Sequence, residues 1–124
     1  MGRSLLHNAC KGGNVNLVKT LIREHKADVY ALDDENNTPL HVASLSGKEE
    51  VVLSLITDFK CDISAKGVMG RSLLHNACNG GNVNLVKTLI REHKADVDAL
   101  DDENNTPLSY YSKLSYYSSY LKLC

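Results

Sequence analysis

Two pairs of metal-capable side chains stand out, His7-x-x-Cys10 and His75-x-x-Cys78, each with its imidazole and thiol one helical turn apart. Zinc takes such ligands, but two at each place do not close a tetrahedral site. Gly47-Lys48 has the end of a phosphate loop, yet residue 42 is valine and residue 49 glutamate, so the pattern fails. Gly12-Gly13 and Gly80-Gly81 read as turns between helices. Asp33-Asp34-Glu35 and Asp101-Asp102-Glu103 hold enough carboxylates for acid or base chemistry. On solvated loop tips nothing would exclude water or raise their pKa values, so a solvated acidic face is expected. Lys19, Arg23 and Lys26, with Lys87, Arg91 and Lys94, form a basic stripe. Without interleaved aromatics, and balanced by acids, that stripe serves solubility instead of nucleic-acid binding. No catalytic set, metal site or cofactor site emerges, and the chain is expected not to be an enzyme.

Composition narrows the classes further. Hydrophobic residues make up 43% of the 124, enough for a packed core. The formal net charge of −1 speaks against nucleic acid or an anionic membrane as partner. No apolar run approaches the roughly 20 residues of a membrane helix, and Met1 to Lys11 does not read as a secretory signal. Cys10, Cys61, Cys78 and Cys124 are widely spaced, with no Cys-x-x-Cys. They are expected to be reduced thiols, mostly small buried groups, in a cytoplasmic protein.

The elements that carry these residues are found by comparing the chain with itself. Residues 1–40 return as 69–108 with two differences, Lys11 against Asn79 and Tyr30 against Asp98. Half of that 68-residue spacing is a weaker period: Ser4-Leu5-Leu6-His7, Thr38-Pro39-Leu40-His41, Ser72-Leu73-Leu74-His75 and Thr106-Pro107-Leu108-Ser109 succeed one another every 34 residues. Ala9, Gly13, Val18, Leu21 and Ile22 recur as Ala43, Gly47, Val52, Leu55 and Ile56. Core contacts and turns thus persist between dissimilar copies.

Each unit reads as two helices. Thr38 suits an N-cap and Pro39 the first helical position, with a short helix to about Ser46 ended by the turn at Gly47. A second helix is expected from about Glu49 to Phe59, with Val51, Val52, Leu55, Ile56 and Phe59 at helical spacing. Helices this short are not stable alone in water, so each pair must bury its apolar face on the next.

Thr38-Pro39-Leu40-His41-Val42-Ala43 resembles the T-P-L-H-x-A signature of the ankyrin repeat, and Gly47, Val51-Val52 and Cys61-Asp62-Ile63 fall at that family's glycine, V-V and A-D-V positions. The resemblance implies an all-α solenoid of stacked helix-turn-helix units with short β-hairpin fingers. Repeats are placed at 2–36, 37–70 and 71–104, with 105–124 a degenerate fourth repeat or capping helix. The signature histidine is expected to bond the repeat backbone or the Thr/Ser position. Two departures matter. The unit is one residue longer than usual after its second helix, where the glycine of the family's G-A-D turn is missing. Asn36 and Asn104 replace the finger-tip glycine, a substitution that asparagine's tolerance of left-handed backbone permits. Beyond Leu108 the signature fails and the segment is biased to Ser and Tyr, but Tyr110, Leu114, Tyr117, Leu121 and Cys124 keep an apolar stripe consistent with one amphipathic helix, the alternative being a frayed, low-complexity tail.

By the same resemblance the activity is protein binding through fingers and first helices. Expected contacts are Asp33, Asp34, Glu35 and Asn37 on the first finger, and Lys66, Val68, Met69 and Arg71 on the next. Asp101, Asp102, Glu103 and Asn105 follow on the third, with Lys11, Leu45, Ser46 and Asn79 at first-helix ends. This order of acid, basic-apolar and acid suits a partner segment with basic ends and an apolar middle. Alternatives are a scaffold segment with no binding role of its own, or an accessory part of an enzyme. Unit one repeats unit three, so its front face carries residues designed to be covered. The chain is therefore expected either to extend a longer array or to self-associate through that face.

Overall fold

The computed structural model describes residues 4–109. Among them are three helix pairs: α1 (Leu5–Gly12) with α2 (Val15–Arg23), α3 (Pro39–Leu45) with α4 (Glu49–Thr57), and α5 (Leu73–Asn79) with α6 (Val83–His93). The helix expected on the stripe from Tyr110 to Cys124 lies outside the described residues.

Local chemistry explains the helix boundaries. Ser4, Thr38 and Ser72 cap the first helices, their hydroxyls accepting from the amides of His7, His41 and His75 at 3.2, 3.3 and 3.2 Å. Asn14 and Asn82 cap α2 and α6 through the amides of Leu17 and Leu85. Each such cap contributes about 1 kcal/mol. Helix α4 has no side-chain cap and instead carries Glu49 and Glu50 in its first turn, where the helix dipole favours negative charge. Gly13, Gly47 and Gly81 supply the left-handed residue between the two helices of each pair, at φ 78°, 71° and 74°.

The exit from each second helix departs from the usual glycine closure. The amides of Ala27, Cys61 and Ala95 reach back six residues to the carbonyls of Leu21, Leu55 and Leu89 at 3.0, 3.1 and 3.0 Å. That is one residue wider than a Schellman closure, and it takes up the extra residue that the sequence places there. The left-handed position in each loop is a lysine: Lys26, Lys60 and Lys94, at φ 55°, 56° and 54°.

The pairs stack in line. α1 packs on α3, α3 on α5, and α2 on α4. One apolar core runs through all three units, from Leu6, Val18 and Leu21 through Leu40, Val52 and Leu55 to Leu74, Val86 and Leu89. Burying each such side chain is worth about 1.5–3 kcal/mol. Between the second helices Lys19 lies 3.6 Å from Asp58, and the Arg23 guanidinium sits 5.3 Å from the Phe59 ring centre.

No β-strand occurs among the described residues, so the β-hairpin fingers expected from the resemblance take another form. Each is a turn closed by one backbone bond across its base: Asp33 N–H to Asn37 at 3.0 Å, Gly67 N–H to Arg71 at 2.8 Å, and Asp101 N–H to Asn105 at 3.1 Å. In the two acidic loops an aspartate side chain accepts two further amides and the asparagine at the tip donates back to that aspartate's carbonyl, leaving no ladder to build.

Candidate interaction surface

The acidic loops are built from their first aspartate outward. Asp33 Oδ1 accepts from the amides of Glu35 and Asn37, both at 2.9 Å, and Asp101 Oδ1 does the same for Glu103 and Asn105. Asn36 and Asn104 occupy the left-handed region at φ 62° and 63°, as their position at the tips requires. Asp33 and Asp101 are buried, correcting the expectation that all these acids sit in solvent. Their carboxylates hold the loops, leaving Asp34, Glu35, Asp102 and Glu103 exposed.

Asn37, also placed among the contacts by the sequence, is buried and joins two loops. Its Oδ1 accepts from the Val68 amide at 3.0 Å, and its carbonyl faces His7 Nε2 at 2.8 Å. A β-carbon at Gly67 would stand 2.5 Å from Asn37 Oδ1, so only glycine allows this approach. The middle loop contains a short 3-10 turn (Val68–Gly70) in which Met69 is left-handed at φ 54°. The Met69 carbonyl accepts from the Asp102 amide at 2.9 Å, tying tip to tip. The basic residues of this loop lean inward. Lys66 Nζ donates to the Leu100 carbonyl at 2.9 Å, and Arg71 Nε lies 4.0 Å from the buried Asp101 carboxylate. Met69 remains exposed, with Val68 and Arg71 half-buried.

The histidines are structural. The Nδ1 atoms of His7 and His75 accept from the backbone amides of Ser4 and Ser72 at 3.2 and 3.1 Å. The proton must therefore sit on Nε2, which donates to the carbonyls of Asn37 and Asn105. His41 makes the matching pair of contacts, Nδ1 to Thr38 Oγ1 at 2.7 Å and Nε2 to the Ala65 carbonyl at 3.0 Å. Burial lowers the His41 pKa, against the opposing pull of the Ala65 bond and the Asp33 charge. With both ring nitrogens engaged, none of these histidines is placed to act as base or ligand. Burial also pushes the thiols of Cys10 and Cys78 up to about 12 and that of Cys61 to about 11, so they remain protonated. Among the described residues no three His, Cys, Asp or Glu side chains gather to hold a metal. No helix there is long and apolar enough to cross a membrane.

Of the other expected contacts, Lys11, Leu45 and Asn79 are exposed at first-helix ends, while Ser46 and Asn105 are half-buried. One feature escaped the sequence. A cleft of about 600 Å³ opens between units two and three, lined by Ile63, Leu74, Lys94, Asp98 and Leu100 among others. Asp98, one of the two residues that distinguish the long copies, was the available signal. On the first unit Leu5 and Leu17 are exposed on the front face, as the repeat led one to expect, and Tyr30 and Leu32 are exposed beside its loop.

The family profile described as "Ankyrin repeats (3 copies)" matches residues 1–67 and 59–123. No curated protein matches the chain. With capped helix pairs stacked in line and the signature histidines bonding from one unit to the next loop, this chain belongs to the ankyrin-repeat family.

Proposed function

We propose that this chain is a non-catalytic protein-interaction module that binds its partner through the loop tips and first-helix ends. Ankyrin repeats generally mediate protein–protein interaction. The observation that carries the reading here is the row of tips. Asp34, Glu35, Asp102 and Glu103 are exposed on either side of Met69, while Lys66 and Arg71 are engaged inward. The tips therefore offer negative charge around one apolar side chain. They fit a partner segment with basic ends and an apolar middle, with charge setting orientation and on-rate more than affinity. Asp33, Asn37 and Asp101 act in this reading by holding the loops in shape. Cys10, Cys61 and Cys78 are free thiols in the core, which fits a reducing compartment, the cytoplasm.

The test is charge reversal of Asp34, Glu35, Asp102 and Glu103 to lysine. Partners captured by the natural chain are identified by mass spectrometry, purified and bound again to both proteins. Loss of binding by a variant with an unchanged far-UV spectrum and melting temperature is expected, together with salt-sensitive binding by the natural chain. Equal affinity for both proteins would remove the tips from the interface.

A further inference from the structure

Units one and three carry the same front face in different surroundings. In unit three, that face is covered by unit two. Leu73 is 2% exposed and Leu85 fully buried, while their counterparts Leu5 and Leu17 in unit one are 65% and 40% exposed. Asn76 is buried, with its Nδ2 donating to the His41 carbonyl at 3.4 Å. Asn82 Nδ2 donates to the Gly47 carbonyl at 3.1 Å. Their counterparts Asn8 and Asn14 are exposed.

The glycines make the sharpest contrast. A β-carbon at Gly80 would stand 2.7 Å from the Leu45 carbonyl, whereas one at Gly12 would meet nothing within 4 Å. Neither glycine has a positive φ, so backbone conformation explains neither. Gly80 is needed because a neighbouring backbone comes close. Gly12 has the same fit with nothing against it among the described residues.

We propose that the front of unit one is a docking face for a further helix pair of the second kind, set in line ahead of it. The occupant is specified by what covers the same residues in unit three. It presents carbonyls placed like those of His41, Leu45 and Gly47, and a hydroxyl like that of Ser44, which donates to the Leu73 carbonyl at 3.1 Å. A pair of the first kind has Cys10 or Cys78 where Ser44 stands, and a thiol is a weak donor. The face therefore selects the serine-bearing kind. Residues 1–3 repeat the sequence of Met69-Gly70-Arg71, the segment through which unit two is joined to unit three.

The proposal is independent of the loop-tip surface and is tested by stability alone. A 34-residue segment copying residues 35–68 is fused ahead of Met1 of the full chain, reproducing the observed junction between Val68 and Met69. A control fusion copies residues 1–34. The first fusion is expected to raise the melting temperature more than the control. Gly12→Ala and Asn8→Ala, which raise helix propensity and cost no contact in the chain itself and so should not lower its melting temperature, should then lower that of the fused protein, as Gly80→Ala and Asn76→Ala do in the natural chain. No rise with the first fusion, an equal rise with both, or a Gly12→Ala that does not lower the melting temperature of the fused protein would overturn the proposal. So would concentration-dependent dimers of the natural chain that Leu5→Lys and Leu17→Lys abolish, because a second copy would then be the occupant.

Discussion

Replacing Lys26, Lys60 and Lys94 by glycine should stabilise this protein although each side chain is exposed at the surface. All three hold left-handed backbone, at φ 55°, 56° and 54°, in the closure that follows each second helix. For a residue with a β-carbon that conformation costs roughly 1–2 kcal/mol. Glycine avoids this but gives up about 0.5–1 kcal/mol through its freer unfolded chain. The net gain is about 0.5–1 kcal/mol per site. The sites lie in separate units, so their effects should add, giving about 2 kcal/mol for the triple variant. In a domain of this size that corresponds to a rise in Tm of roughly 10 °C. Thermal and urea unfolding followed by far-UV circular dichroism would measure it. Lysine-to-alanine variants at the same positions separate backbone from charge, because alanine removes the ammonium but keeps the strain. A glycine triple variant with unchanged or lowered Tm would refute the reasoning, as would an alanine triple variant that gains equally.

Other consequences follow from the buried polar groups. The folded-state pKa of His41 lies below the usual 6.5, so the unfolded chain takes up the proton first. Its contribution to stability is complete above that value and is lost as pH falls below it; urea midpoints measured from pH 7.5 to 5 should decline, and His41→Gln should flatten the decline. Asp33→Ala removes the acceptor for two loop amides and leaves a buried Asn37 N–H unsatisfied, which should cost about 2–3 kcal/mol in urea unfolding. Asp34→Ala, on the same loop but exposed, should stay within about 0.5 kcal/mol of the natural chain. In a Cys124→Ser background the remaining thiols should be silent to a disulfide reagent at pH 8 and react only as the protein unfolds, since burial holds Cys10, Cys61 and Cys78 well above that pH.

The repeat, its two helices and the direction of stacking were legible in the one-dimensional pattern. Period, caps and turn glycines are local, and Thr38, Pro39, Gly47 and the Val51–Leu55 stripe each act within a few residues. The role of the signature histidines was legible too, through the ankyrin resemblance. Distance across the stack decided the rest. Asp33 and Asp34 are neighbours of one chemistry, yet one is buried in loop amides and the other is free to meet a partner, and only the fold of the loop separates them. Asn37 looked like a surface residue until the middle loop came within reach of its amide oxygen. Leu5 and Leu73 share a local sequence but differ from 65% to 2% exposed, because burial belongs to whatever packs on the face and not to the residue itself.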